Sequence, residues 1–257
     1  MIQLQNVTVM RQGKAILEDI TWQSQNHHYA ILGANGAGKT TLLQLLMGYL
    51  WPTQGSVRVL DHTLGKYDVR ELRKEIGFVS SALDQRLDSN EEALNLVISG
   101  RHATHATYHT ITSAEREFAM QQLSRVGATG IAKTRFGALS HGEKQKVLIA
   151  RSLMAQAKML ILDEPCNGLD FPSREDLLDT IETVAQSSNA PTLLYVTHYP
   201  NEIVPSISHA LLLKAGKVWR EGAKAEVLTS HWLSSLYDRD VTVSLLNGYP
   251  IVTSIRS

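Results

Sequence analysis

Residues 33–40 read Gly-Ala-Asn-Gly-Ala-Gly-Lys-Thr, the spacing G-x-x-x-x-G-K-[ST]. The chemistry of that spacing is phosphate binding. Gly33, Gly36 and Gly38 allow the backbone to turn its N–H groups inward as an anion nest. A helix beginning near Lys39 adds the positive end of its dipole. Lys39 supplies a compact charge for β- and γ-phosphates, and the Thr40 hydroxyl suits Mg2+. Asn35 and Thr41 complete the nucleotide-binding set within the same loop. A second candidate is Met159-Leu-Ile-Leu-Asp163-Glu164, an apolar run ending in two acids. A strand buried on both faces delivers its last residue to the C-terminal edge of a sheet, where ligands bind in open α/β folds. Asp163 is then expected to hold Mg2+ opposite Thr40, and Glu164 to polarise a water aimed at the γ-phosphate.

Both motifs need strands behind them. Ile2–Val9 alternates apolar and polar residues with one slip, and Ala15–Trp22 reads the same way. Tyr29–Leu32 is a short apolar run that enters the glycine-rich turn. Thr40–Leu50 follows with helical spacing at Leu42, Leu43, Leu46 and Met47. Further short strands are expected at Ser56–Leu60, Ile76–Ser80, Met159–Leu162, Thr192–Thr197, Ala210–Lys214 and Lys217–Glu221. Strands alternating with helical patterns imply an α/β architecture with a mainly parallel sheet. From Ser81 to Leu139 the strand pattern stops, and the segment reads as a helical insertion. Asn90–Ser99 and Ser113–Val126 look helical, the second with an expected cap at Ser113. The tail, 223–257, carries one expected helix around Ala223–Leu228 and weak strand signals at Val241–Leu246.

Composition excludes several classes. The chain has 257 residues, and 25 Lys+Arg balance 25 Asp+Glu, which argues against broad attraction to nucleic acid or an anionic membrane. No nucleic-acid partner is expected. A single cysteine, Cys166, cannot form an intrachain disulfide. The start MIQLQNVTVM has neither a charged leader nor a long apolar region. No apolar stretch approaches the ~20 residues of a membrane helix. The expectation is a soluble, cytoplasmic protein, peripheral to a membrane only through a partner.

Leu139-Ser140-His141-Gly142-Glu143-Lys144-Gln145-Lys146 closely resembles the signature of ATP-binding-cassette (ABC) ATPases, usually LSGGQ. Asn167-Gly168-Leu169-Asp170 is similar to their D-loop, and His198 in Val196-Thr-His-Tyr to their switch histidine. With the phosphate loop and the Met159–Glu164 run, these stand in the family's order and spacing over roughly residues 1–222. The chain thus resembles the nucleotide-binding subunit of an ABC transporter. The resemblance implies a P-loop NTPase fold of the ABC ATPase type: an antiparallel β-subdomain, a RecA-like core sheet and a helical subdomain inserted at about 82–138. It implies hydrolysis of ATP with Mg2+, carried by Lys39, Glu164 and His198. It further implies a head-to-tail sandwich, a homodimer or paired ATPase subunits, in which Ser140 and Gly142 face the γ-phosphate on the partner's phosphate loop. A separate integral-membrane permease subunit completes the assembly. The signature also makes local sense, because Ser140-x-x-Glu143 is a capping box ahead of the helical run Lys144–Ala155. His198 ends an apolar strand, as Asp163 does, so the two are expected at one sheet edge.

Three positions depart from the family pattern. The adenine-stacking aromatic falls on Arg11, which reads equally as a guanidinium stacked on a base or as a solvated turn residue. The family's Gln after the strand Ile76–Ser80, which relays to the membrane domain, is Ser81, with Gln85 four residues on. His141 replaces a signature glycine; Glu143 in place of Gln is a milder change. His102, His105 and His109 would share a helix face, but with no Cys or carboxylate in the run they read as polar surface. Cys166 reads as a small residue near the D-loop. Two functions compete. One is transport, with a permease docked near Tyr108 and Val97–Gly100 and an insertion similar to that of importers of metal chelates, vitamins or molybdate. The other, the alternative to transport, is a soluble regulatory or assembly ATPase without a permease, kept open by Ser81 in place of the coupling Gln. No Asn-Lys-x-Asp motif supports a GTPase.

Overall fold

The slip in the Ile2–Val9 alternation is a β-bulge. Asn6 has φ +48°, and the pairing register shifts between Leu4 and Val7. A bulge inserts one residue without flipping the apolar side chains to the wrong face, so Ile2, Leu4, Val7 and Val9 all stay buried. The structure, a computed structural model, describes residues 1–80, 87–102 and 111–254. Among them the strands are β1 (Ile2–Arg11), β2 (Lys14–Gln23), β3 (Tyr29–Leu32), β4 (Gln54–Val59), β5 (His62–Thr63), β6 (Ile76–Ser80), β7 (Met159–Asp163), β8 (Thr192–Thr197), β9 (His209–Lys214), β10 (Lys217–Ala223), β11 (Val241–Leu246) and β12 (Tyr249–Ser254). The chain divides into two compact units, Met1–Arg73 with Leu193–Ser257, and Lys74–Thr192.

The first unit holds two kinds of sheet. Strands β2-β1-β4-β5 form an antiparallel sheet with one buried face, which is why β1 and β2 alternate. Strand β3 lies between β9 and β8 and is parallel to both. All four of its residues are buried, so it must read as an unbroken apolar run. Each such buried aliphatic side chain contributes roughly 1.5–3 kcal/mol relative to exposure. Strand β10 returns antiparallel to β9.

The tail belongs to this unit and is richer than the expected single helix. Helix Lys224–Val227 is followed by a second helix, Ser230–Tyr237, and then by the hairpin β11–β12. The hairpin turn is Asn247-Gly248, with φ +51° and +83°. That pair is the type I′ turn whose twist matches the flanking strands.

In the second unit β6 pairs in parallel with β7, Ser80 opposite Asp163. Helices Ala93–Ser99, Ser113–Arg125, His141–Met154 and Phe171–Gln186 make up most of the rest of its described residues; the first two fall within the segment read as a helical insertion. The cap of Ser113–Arg125 is Thr112, not Ser113. Two hydroxyl residues compete for the position, and Thr112 wins because Glu115 stands three residues after it. Thr112 Oγ1 accepts from Glu115 N–H at 3.2 Å, and Thr112 N–H donates to Glu115 Oε2 at 3.0 Å. Val97–Gly100, expected to line a docking surface, is buried; Val97, Ile98 and Ser99 are all fully buried. A Cβ at Gly100 would run into Arg151 on helix His141–Met154.

Candidate functional site

The phosphate loop leaves the buried end of β3. In the parallel register Leu32 pairs with Thr197, so Gly33 and His198 are the next residues off two adjacent strands. Gly33 must lack a side chain, because a Cβ there would stand 2.5 Å from the carbonyl oxygen of Leu213 on β9. Gly36 and Gly38 have φ +81° and +105°, which turns the loop back on itself. Helix Lys39–Leu46 begins at Gly38 with no side-chain cap. Lys39 is 7% exposed, and its ammonium donates to the carbonyl oxygens of Gly33 at 2.7 Å and Ala34 at 3.4 Å. A cation is therefore fixed inside the loop. Asn35, Gly36 and Thr40 are exposed, and Thr41 is half-buried.

His198 is half-buried, with its ring 3.9 Å from that of Tyr199. The strand end beneath it is tied by a buried carboxylate. Thr197 Oγ1 donates to Glu202 Oε2 at 2.6 Å, and the Tyr195 hydroxyl donates to the same oxygen at 3.4 Å. Arg11 is the last residue of β1; it is exposed and pairs with Lys14 across a tight turn.

In the second unit β7 buries Met159–Leu162 and brings Asp163 and Glu164 out half-buried at its end. Glu164 has φ +50°, a left-handed backbone that aims its side chain off the strand line. The chain then turns through Asn167–Asp170, with Gly168 at φ +78°. Asp170 caps helix Phe171–Gln186, its carboxylate accepting from Ser173 N–H at 3.1 Å. Hydrogen bonding from Ser173 holds the Asp170 carboxyl below the usual aspartate value. Cys166 is buried.

The signature forms the expected capping box. Ser140 N–H and Ser140 Oγ each donate to Glu143 Oε2 at 2.8 Å, and Ser140 Oγ accepts from Glu143 N–H at 3.3 Å. Ser140 is exposed, His141 half-buried and Gly142 buried. A Cβ at Gly142 would stand 3.5 Å from that of Ser173, which packs the signature beside the D-loop helix. Ser81, Gln85, His105, Tyr108 and His109 lie outside the described residues.

The ABC transporter family profile matches residues 17–167. The chain is 45% identical to the ABC transporter ATP-binding protein YlmA of Bacillus subtilis, over 98% of this chain and 96% of that protein. This chain belongs to the ABC transporter family. It is an ATP-binding protein that hydrolyses ATP, and its fold is the ABC ATPase fold. It is also 34% identical to the molybdate import ATP-binding protein MolC of Haemophilus influenzae, over 81% of this chain and 76% of that one. A solved ABC transporter in an inward-facing conformation superposes with a TM-score of 0.77, at 28% identity, covering 99% of this chain and 96% of its own.

Within this ABC ATPase the structure adds residues that sequence reading missed. Glu202 ties down the strand end before His198, and the Tyr237 hydroxyl donates to the His198 carbonyl at 3.2 Å. Tyr237 carries no local signal, since it lies 39 residues from its acceptor. The Asn247-Gly248 pair was the one clear sign of the tail hairpin.

Proposed function

We propose that this ATPase powers transport through a separate integral-membrane permease, working as a homodimer or as one of a pair of ATPase subunits. The observation that carries the chemistry is Lys39, held by the carbonyls of Gly33 and Ala34 inside the loop that leaves β3, beside β8, the strand that ends one residue before His198. In this reading the loop N–H groups, including those of Asn35, Gly36, Gly38 and Thr41, cradle the phosphates. Lys39 neutralises β- and γ-phosphate charge, and His198 contacts the γ-phosphate. Glu164 takes the proton of the attacking water. Ser140 and Gly142 serve the partner's nucleotide, and Arg11 lies at the base-stacking position.

The donor set fits Mg2+. Thr40 offers a hydroxyl and Asp163 a carboxylate, the hard oxygen ligands this ion takes alongside phosphate and water. Bound Mg2+ would neutralise charge on the transferring phosphoryl group. Among the described residues no helix is long and apolar enough to cross a membrane. In this reading the transport machinery belongs to a partner, with this chain peripheral on the cytoplasmic side. The likeness to MolC, a molybdate import ATP-binding protein, supports import.

Two experiments test this. Affinity purification from detergent-solubilised membranes should recover a multi-span protein; a strictly soluble dimer with full ATPase activity would overturn the transport reading in favour of a regulatory ATPase. Glu164→Gln should keep ATP binding, lower turnover by about 10²–10⁴-fold and accumulate a dimer on size exclusion. Near wild-type hydrolysis would remove Glu164 from the role of base.

A further inference from the structure

We infer that Tyr237 of the C-terminal tail is a positioning residue for His198, so that the tail sets the rate of the hydrolytic step. The inference rests on the reading of His198 as the γ-phosphate contact.

The direction of the His198 imidazole depends on the two peptide planes that flank its Cα. The preceding plane is fixed by β8, where Thr197 pairs with Leu32. The following plane, between His198 and Tyr199, lies outside the strand and is pinned at both ends. Its N–H donates to Thr197 Oγ1 at 3.0 Å. Its carbonyl oxygen accepts from the Tyr237 hydroxyl at 3.2 Å. The first tie is local, spanning two residues. The second comes from the far end of the chain.

Tyr237 is itself held. It ends helix Ser230–Tyr237, whose Leu233 and Leu236 are buried. Just beyond it, Asp238 accepts from the Lys214 ammonium at 2.7 Å, and the same ammonium donates to the carbonyl of Ser235. Ser234 Oγ accepts from Val241 N–H at 3.0 Å, and Ser230 Oγ from Val243 N–H at 2.9 Å, which fastens the helix to the hairpin. The far end of the segment that follows His198 is gripped too. The buried Lys224 ammonium donates to Val204 and Pro205 at 3.1 Å each and to Gly248 in the hairpin turn at 3.0 Å. Burial raises the Tyr237 phenol well above its usual value, so the hydroxyl stays a donor at every working pH. The tail thus closes on residues 198–205 at both ends, and one of its two grips is on the peptide of the switch histidine.

The test is ATP turnover by the full chain. Tyr237→Phe deletes one neutral hydrogen bond and keeps the ring. It should lower kcat by about 3–10-fold, with KM and fluorescent-ATP affinity within twofold of wild type. In a His198→Ala background, followed under single-turnover conditions over hours, Tyr237→Phe should add no further loss. Lys224→Met releases the other grip and should lower thermal stability while leaving kcat per folded molecule within twofold.

Wild-type kcat in Tyr237→Phe would overturn the inference. So would an equal fold-loss in both backgrounds, or an equal kcat loss in Lys224→Met, since general loosening would then suffice. O-methyltyrosine in place of Tyr237 removes the donor by a second route and must reproduce the loss if Tyr237→Phe does not accumulate as folded protein. His198→Ala alone tests the underlying reading: near wild-type turnover there would remove His198 from the site, whatever Tyr237 does.

Discussion

Helices Lys39–Leu46 and His141–Met154 begin in opposite ways. The first starts at Gly38 in the left-handed region, with no side chain capping it. The second starts at Ser140 inside a complete capping box. An α-helix leaves its first N–H groups without intrahelical partners. At Gly38 the backbone aims them into a loop that already holds a lysine. At Ser140 a side chain answers one of them, so this helix start is fixed by its own capping box. The same box stands at Thr112, Glu115, at a helix with no assigned role in the chemistry. Local capping geometry therefore does not mark a ligand. The mounting differs: Ser113–Arg125 buries Ala119, Gln122 and Leu123, whereas His141–Met154 buries residues along its whole length from Gly142 to Met154. Only the second could hold its tip steady against another molecule.

This contrast can be broken by substitution. Lys39→Ala should have the largest effect, weakening ATP binding by about 100-fold or more, as expected when charge-assisted contacts are removed. Fluorescent-ATP titration would read it, and unchanged affinity would end the distinction between the two helix starts. Ser140→Ala should leave ATP affinity of the monomer within twofold but lower turnover by about 10-fold, besides costing about 1 kcal/mol of stability. If it behaves in turnover assays like wild type, the signature end is only a cap. Thr112→Ala should cost the same ~1 kcal/mol in a denaturant melt and leave turnover per folded molecule unchanged.

The smallest effect belongs to Asp170, the third capped start. Its carboxyl is held below the ordinary aspartate value of 3.8, chiefly by Ser173. Its contribution to stability is therefore complete above that pH and is lost as pH falls through the lower folded value. The stability gap between wild type and Asp170→Asn should stay constant above about pH 5 and shrink in more acid solution. A gap that widens on acidification would reverse the sign of the assignment.

Much of this was legible in the sequence, for identifiable reasons. Lys39 and Thr40 open a helix after a glycine-rich turn, Asp163 ends an apolar strand and Ser140 caps a helix, so motif spacing alone placed them at element ends. Thr112 was legible in principle, since the S/T-x-x-E rule selects it over Ser113, but two adjacent hydroxyls hid the choice. The tail was not legible. Helix Ser230–Tyr237 buries only Leu233 and Leu236, too short a stripe to read as periodic. The acceptor of the Tyr237 hydroxyl is a backbone carbonyl, which any residue type would present.

Gly33 and Gly36 look alike in the motif, yet the structure gives them different obligations. A side chain at 33 would strike the carbonyl of Leu213 at 2.5 Å, whereas nothing lies within 4 Å at 36, where only the left-handed backbone is demanded. In a variant library scored separately for cellular abundance and for activity, position 33 would fall with the buried leucines and vanish from the abundance pool. Position 36 would persist there, most readily as Asn, and be lost only in the activity screen. One glycine of the phosphate loop is inherited for assembly, the other for use.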